Sequence, residues 1–220
     1  MPKQTAYILV GPPGAGKGTQ SELLVDNLNL KVIQPGVFLR KEAKNNTEVG
    51  ILIEGLISYG MIVPDEFVDK RVYTALSRNT RDILFDGYPR TTGQAEKLAG
   101  YLKKNHINTY FIQITLPEKL IIERINGRRS CHCGETYHIK HNPPKKFGIC
   151  DKCGQKLYIR TDSRKPVIRK RVKLYHEQTE PVIKYFQKRH DVRMTFIKVN
   201  GNRDIDKVHA DIMAAISKTA

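Results

Sequence analysis

Tyr7-Ile8-Leu9-Val10-Gly11-Pro12-Pro13-Gly14-Ala15-Gly16-Lys17-Gly18-Thr19-Gln20 is the stretch on which the fold turns. Four apolar residues in a buried-strand pattern run into a Gly/Pro-rich turn, and from Lys17 the spacing becomes helical through Ser21-Glu22-Leu23-Leu24-Val25. Strand, glycine loop, lysine and helix in that order make a phosphate-binding P-loop. Glycines let backbone N–H groups point inward at a polyphosphate. The helix N-terminus adds positive dipole, and the lysine reaches the outer phosphates. The spacing Gly11-x4-Gly16-Lys17 fits, with Gly18 where the general pattern has Ser or Thr and Thr19 next. The sequence therefore predicts binding of a nucleoside triphosphate.

Outward from that unit, strand and helix patterns alternate without internal repeat or low-complexity tract. Lys31-Val32-Ile33 reads as a short strand, Gln34-Pro35-Gly36 as a turn, and residues 37–44 and 49–59 as helices, the second stopped by Gly60. Met61-Ile62-Val63-Pro64 is an extended link, with Asp65 as N-cap of a helix over 66–77. Later come helices at 94–104 and 117–125, strands at 110–116 and 195–199, one long basic helix at 167–189, and a closing helix at 206–217. This order predicts an α/β fold, a parallel P-loop sheet covered by helices on both faces. Two small units interrupt it, one helical and one β-rich. The expected division is a core of 1–33, 64–126 and 164–220, a helical insertion at 34–63, and a β-rich flap at 127–163.

The second informative stretch is Ile83-Leu84-Phe85-Asp86-Gly87-Tyr88-Pro89-Arg90. A buried parallel strand places Asp86 at its carboxyl end, where ligands gather in open α/β sheets. There a carboxylate can hold the water shell of the Mg2+ that accompanies a triphosphate. The Gly-Tyr-Pro-Arg turn aims Arg90 at the same crevice.

Four cysteines lie in two close pairs, Cys131/Cys133 and Cys150/Cys153, inside the irregular flap. Such pairs in a segment too small for its own core point to a structural Zn2+. Cys150-x2-Cys153 has the usual spacing and Cys131-x-Cys133 is one residue short. Either that first knuckle is distorted, or a neighbour such as His132 or Ser130 completes the set.

Bulk properties bound the rest. A chain of 220 residues with 40% hydrophobic content supports one core with insertions. Its apolar runs fall far short of the ~20 residues of a membrane span. Met1-Pro2-Lys3-Gln4-Thr5 leads straight into the first strand, so a cytoplasmic protein without a leader is expected. The net charge of +16 attracts polyanions. The excess lies around 160–173 and in scattered lysines, without the aromatic interleaving of a nucleic-acid groove. No dedicated nucleic-acid partner is expected.

With these residues in view, the chain resembles the adenylate kinases and their nucleoside monophosphate kinase relatives along its whole length. The specific matches are Gly11 to Gln20, Asp86-Gly87-Tyr88-Pro89-Arg90-Thr91 with Gln94-Ala95, and Glu123-Arg124-x3-Arg128-Arg129. Tyr137-His138, Asn142-Pro143-Pro144-Lys145 and the sixteen residues between Cys133 and Cys150 resemble the long, zinc-bearing lid of bacterial members. The resemblance implies ATP phosphates cradled by Gly14, Ala15, Gly16, Lys17, Gly18 and Thr19. It implies Arg124 near the ATP base, Arg128 on its phosphates, and Arg203 on a turn facing its adenine. Arg40, Arg90, Arg160 and Arg171 would hold the acceptor and transferring phosphates. Gln94 would read the acceptor base, in a pocket formed with Pro35, Met61, Ile62, Val63, Gly87, Tyr88 and Pro89. It also implies a monomer.

Three departures stand out. Gln34-Pro35-Gly36-Val37 replaces the family's Ser-Thr-Gly-Asp, which removes a hydroxyl near the acceptor base and a backbone donor. Arg160-Thr161-Asp162-Ser163 has one acid where relatives have two, and the first cysteine pair is short. The implied reaction is Mg2+-dependent phosphoryl transfer from ATP to AMP. UMP or CMP as acceptor, or a catalytically weak nucleotide-binding protein, are the alternatives.

Overall fold

The computed structural model describes residues 4–219. The reading of residues 1–3 as a direct lead into the first strand lies outside them. The strands are β1 (Thr5–Val10), β2 (Lys31–Ile33), β3 (Ile83–Asp86), β4 (Asn108–Thr115), β5 (Arg128–Ser130), β6 (Thr136–His138) and β7 (Met194–Asn200). Five of them form one parallel sheet in the order β2-β3-β1-β4-β7. The chain leaves β1 to one side and later crosses to the other. Loops therefore diverge at the carboxyl end of this central strand and open a crevice there.

Period-two alternation along β1 splits its side chains between two cores. Ala6, Ile8 and Val10 face one side with Phe85 and Phe111, under α4 (Asp65–Leu76), α5 (Thr92–Lys104) and α8 (Glu180–Gln187). Tyr7 and Leu9 face the other with Leu84 and Ile112, under α1 (Lys17–Leu28), α6 (Glu118–Gly127), α7 (Lys165–Leu174) and α9 (Ile205–Ser217). A strand buried on both faces reads as an unbroken apolar run, which is why the sequence pattern at 7–10 was unambiguous.

Three local expectations are corrected. Gln34-Pro35-Gly36 is no turn: α2 (Pro35–Glu42) begins at Pro35, whose fixed φ suits the first helical position and whose missing N–H has no intrahelical partner there anyway. Asp65 does not cap α4; it is the first helical residue, Pro64 precedes it, and its carboxylate is used elsewhere. The helix over 167–189 is continuous across residues 165–187, but its middle widens into a π-type turn (Tyr175–Thr179) between α7 and α8. Pro181, with no N–H to give the ladder, lies just past that turn.

The two interruptions are α2 with α3 (Glu48–Ser58), and the segment from β5 to the 3-10 turn Thr161–Ser163. In the second, β5 and β6 pair antiparallel, and isolated bridges such as Ser130–Tyr158 and Ile149–Lys156 replace a broad sheet. Its own core is only Cys131, Tyr137 and Cys150, with Leu157 packed against them.

Candidate functional site

The glycine loop is shaped by contacts a side chain would forbid. A Cβ on Gly11 would stand 2.4 Å from the carbonyl oxygen of Ile114, and Gly16 caps α1 with φ +90°. Lys17 Nζ donates to the carbonyls of Gly11 (2.8 Å) and Pro12 (2.9 Å). Burial pulls its pKa down to about 7; Asp86 opposes the shift, and Arg90, Arg171 and Arg128 add to it. A polyphosphate anion would reverse that balance.

Arginines from separate elements gather here, Arg90, Arg171 and Arg128 close enough to Lys17 to shift its pKa, and Arg40 and Arg160 around the neighbouring Asp162. Arg40 comes from α2, Arg90 from the turn after β3, Arg128 from the start of β5, Arg160 from the strand-like approach to the 3-10 turn, and Arg171 from α7. Burial lowers Arg128 well below its ordinary value and Arg160 to about 10, with neighbouring guanidinium groups adding to both. Asp162 is the carboxylate between them. Arg171 donates to its Oδ2 (2.7 Å) and its backbone oxygen (3.2 Å), and Arg128 to its Oδ1 (3.3 Å). Burial alone would raise this carboxyl, but Arg171, Arg128, Arg160 and Arg40 hold it below its ordinary value. Ser163 Oγ accepts a further bond from Arg128 at 3.1 Å. Arg160 Nε donates to Ser130 Oγ at 2.7 Å. Arg90 Nε donates to the Gly87 carbonyl at 3.0 Å, and Arg40 folds over Gly36.

Lys17, Pro35, Arg40, Met61, Ile62, Val63, Gly87, Pro89, Arg90, Gln94 and Arg171 all line one cleft. Asp86 is buried at the end of β3 beside it and accepts a hydrogen bond from the Gln34 amide, a partner the sequence did not reveal. Gln94 is 1% exposed. Its Oε1 accepts from the Arg90 backbone N–H and its Nε2 donates to Asp65 Oδ1, both at 2.7 Å. Tyr88 is not in the cleft. It is wholly buried, and its hydroxyl donates to Asp69 (2.9 Å), whose other oxygen pairs with Lys97 (2.7 Å).

On its other side the loop is abutted by α6: a Cβ on Gly14 would lie 3.5 Å from Arg124 Cβ. His138 packs over Gly127; burial first, then His141 and Arg124, lower its pKa to about 4. The turn bearing Arg203 approaches the loop through its backbone, since a Cβ on Gly201 would meet Ala15 O at 3.0 Å. The Arg203 side chain itself points away and pairs with Asp211.

The four cysteine sulfurs lie within 4.8 Å of one another, Cys131–Cys153 at 3.3 Å and Cys133–Cys150 at 3.6 Å. A tetrahedral site with 2.3 Å Zn–S bonds has edges of roughly 3.8 Å, so the donor set fits. His132 and Ser130 are engaged elsewhere: His132 stacks on Tyr158 and meets Lys44, and Ser130 serves Arg160. Tyr137 and backbone N–H groups of Lys152 and Cys153 overcome the upward push of burial on Cys150 and lower its thiol to about 6. The Lys44–His132 contact and a Thr161–Glu54 bond at 3.5 Å join the two insertions across the mouth of the cleft.

With that geometry established, sequence comparison becomes specific. The family model described as adenylate kinase matches residues 9–191. The chain is similar to the adenylate kinase of Methanosarcina barkeri, 38% identical over 97% of this chain and 99% of that one. It is similar as well to the adenylate kinases of Caldanaerobacter subterraneus (38%, covering 95% of each) and Methanocella arvoryzae (39%, covering 97% and 99%). The chain belongs to the adenylate kinase family.

Proposed function

We propose that the protein catalyses reversible, Mg2+-dependent transfer of the γ-phosphoryl group of ATP to AMP, giving two ADP. The observation that carries this reading is the convergence of Lys17 with Arg40, Arg90, Arg128, Arg160 and Arg171 from six chain segments. A metaphosphate-like transition state needs positioned positive charge and in-line geometry, and no nucleophilic side chain, because the acceptor phosphate oxygen is itself the nucleophile. Planar guanidinium groups match phosphate oxygens two at a time. The loop from Gly14 to Thr19 and Lys17 take the ATP phosphates, with Arg124 and Arg128 beside them. Arg40, Arg90, Arg160 and Arg171 take the acceptor and transferring phosphates. Mg2+ arrives with ATP, and Asp86 would hold its water shell.

Residues 34–63 and 127–163 act as two flaps on the core, and their closure keeps water from the γ-phosphate. Cys131, Cys133, Cys150 and Cys153 would hold one structural Zn2+, which replaces the core that the second flap lacks. Among the described residues no helix is long and apolar enough to cross a membrane. A cytoplasmic monomer is the simplest setting for this chemistry.

Pro35 keeps a second acceptor in play, because a proline stands where a hydroxyl would help select adenine. A coupled assay across AMP, GMP, CMP and UMP tests the reading, with AMP expected to lead. Lys17→Met should abolish turnover with all four. Unchanged activity in that variant would reject the kinase assignment.

A further inference from the structure

We infer that Asp65 fixes which way round the Gln94 amide stands, and so makes the acceptor site select a base that offers a ring-nitrogen acceptor beside an exocyclic amine. The inference rests on the proposal that Gln94 reads the acceptor base.

An amide side chain is ambiguous by nature, since its oxygen and nitrogen ends have the same shape and opposite hydrogen-bonding character. Here both ends are addressed by groups that are not ambiguous. The carboxylate of Asp65 accepts only, and it faces one end at 2.7 Å. The Arg90 backbone N–H donates only, and it faces the other end at 2.7 Å. The reversed amide would set oxygen against carboxylate and N–H against N–H. The orientation therefore follows from the chemistry of the partners. Asp65 is in turn held by the Thr91 hydroxyl, which donates to Oδ2 at 2.6 Å and accepts from the Gln94 N–H at 3.1 Å as the N-cap of α5. The rigid start of α4 thus carries the carboxylate and the rigid start of α5 the amide.

After these two bonds Gln94 keeps one N–H and one oxygen lone pair, and the residue lines the cleft. Adenine offers N1 as acceptor and its 6-amino group as donor, which matches that order. Hypoxanthine has the same outline with both characters reversed, N1–H donating and the 6-oxo group accepting. The locked amide meets it with like facing like, and a buried polar group left unpaired discriminates strongly. Asp65 touches no substrate in this scheme; it is a positioning residue.

The test is steady-state kinetics at saturating ATP with AMP and inosine monophosphate as competing acceptors. Wild type should favour AMP. Asp65→Asn offers a donor as well as an acceptor to the amide, and it should cut the AMP-to-IMP ratio of kcat/KM by about tenfold, the worth of one good hydrogen bond, mainly through the KM for AMP. Asp65→Ser should lower the ratio in the same direction and serves if the asparagine variant does not fold. Thr91→Val removes both the cap of α5 and one of the two donors that hold Asp65, so it should lower the melting temperature and shift the ratio in the same direction as the Asp65 variants, but by less. A wild type that prefers AMP, with Asp65 variants that lose both acceptors in equal proportion, would overturn the inference and leave base reading by Gln94 standing. A wild type indifferent to AMP and IMP would overturn the base-reading proposal itself.

Discussion

Replacing Asp162 by asparagine is the sharpest probe of the cation cluster. The carboxylate is 9% exposed and is shared by Arg128 and Arg171, whose side chains are 15% and 18% exposed. Removing one partner of a buried ion pair costs about 3–5 kcal/mol, because the remaining charges stay desolvated and uncompensated. Here two guanidinium groups lose their counter-charge but keep some contact with water. We expect a loss of about 2–4 kcal/mol. For a chain of this size that corresponds to a fall in Tm of roughly 4–9 °C by calorimetry at neutral pH and low salt. The sign with pH follows from the lowered pKa of Asp162. Its stabilising contribution is complete above the ordinary carboxylate pKa and is lost as pH falls through the depressed folded value, so wild type and variant should converge in acid. A phosphate group placed among the same arginines supplies the missing negative charge. Saturating pyrophosphate should therefore raise the Tm of Asp162→Asn more than that of wild type. A Tm change within about 1 °C, or a gap between the two proteins that pyrophosphate leaves unaltered, would refute the claim that this carboxylate balances the cluster.

Metal analysis of carefully purified protein should find about one zinc per chain, and Cys150→Ser should lower Tm more than it lowers turnover; protein free of zinc would reject the cysteine assignment. Glu22, half-buried on α1, has its pKa pushed up to about 7 by burial and then by Glu135 on the second flap. A raised carboxyl pKa favours the folded state below the ordinary carboxylate range and loses that advantage as pH rises through about 7. Glu22→Gln should then flatten the pH dependence and gain about 1–3 °C in Tm at pH 8 after allowance for solvent screening, and parallel Tm profiles for the two proteins would exclude the effect.

What the sequence disclosed and what it hid divide along a physical line. The P-loop was readable because strand, glycine turn, lysine and helix are contiguous, and each residue type there answers to its own backbone: Gly11 to the close pass of Ile114, Gly16 to a left-handed φ. The parallel core was readable for the same reason, since β1 and β4 are apolar on both faces. Side-chain partnerships across the fold carry no such local signature. Asp65 meets Gln94 twenty-nine positions away, and Gln34 meets Asp86 at a separation of fifty-two. Nothing in the pattern around Asp65 tells an N-cap from an amide anchor, because both uses need one carboxylate near a helix start. The tertiary acceptors decided it: Thr91 and Gln94 bring two donors to the carboxylate. The same reasoning explains why Tyr88, next to Arg90 in a motif, belongs to the core while Arg90 belongs to the cleft. On the turn after a strand, one residue can face the sheet's helices and its near neighbour the crevice. Three acids thereby divide the work of a site made almost wholly of cations. Asp86 faces Lys17 and is braced by Gln34, Asp162 balances the arginines, and Asp65 orients a neutral amide. If that division is correct, substitution at each should have its own signature: Mg2+ dependence for Asp86, thermal stability restored by phosphate for Asp162, and base selectivity for Asp65. A single shared signature would mean that they act only as bulk counter-charge.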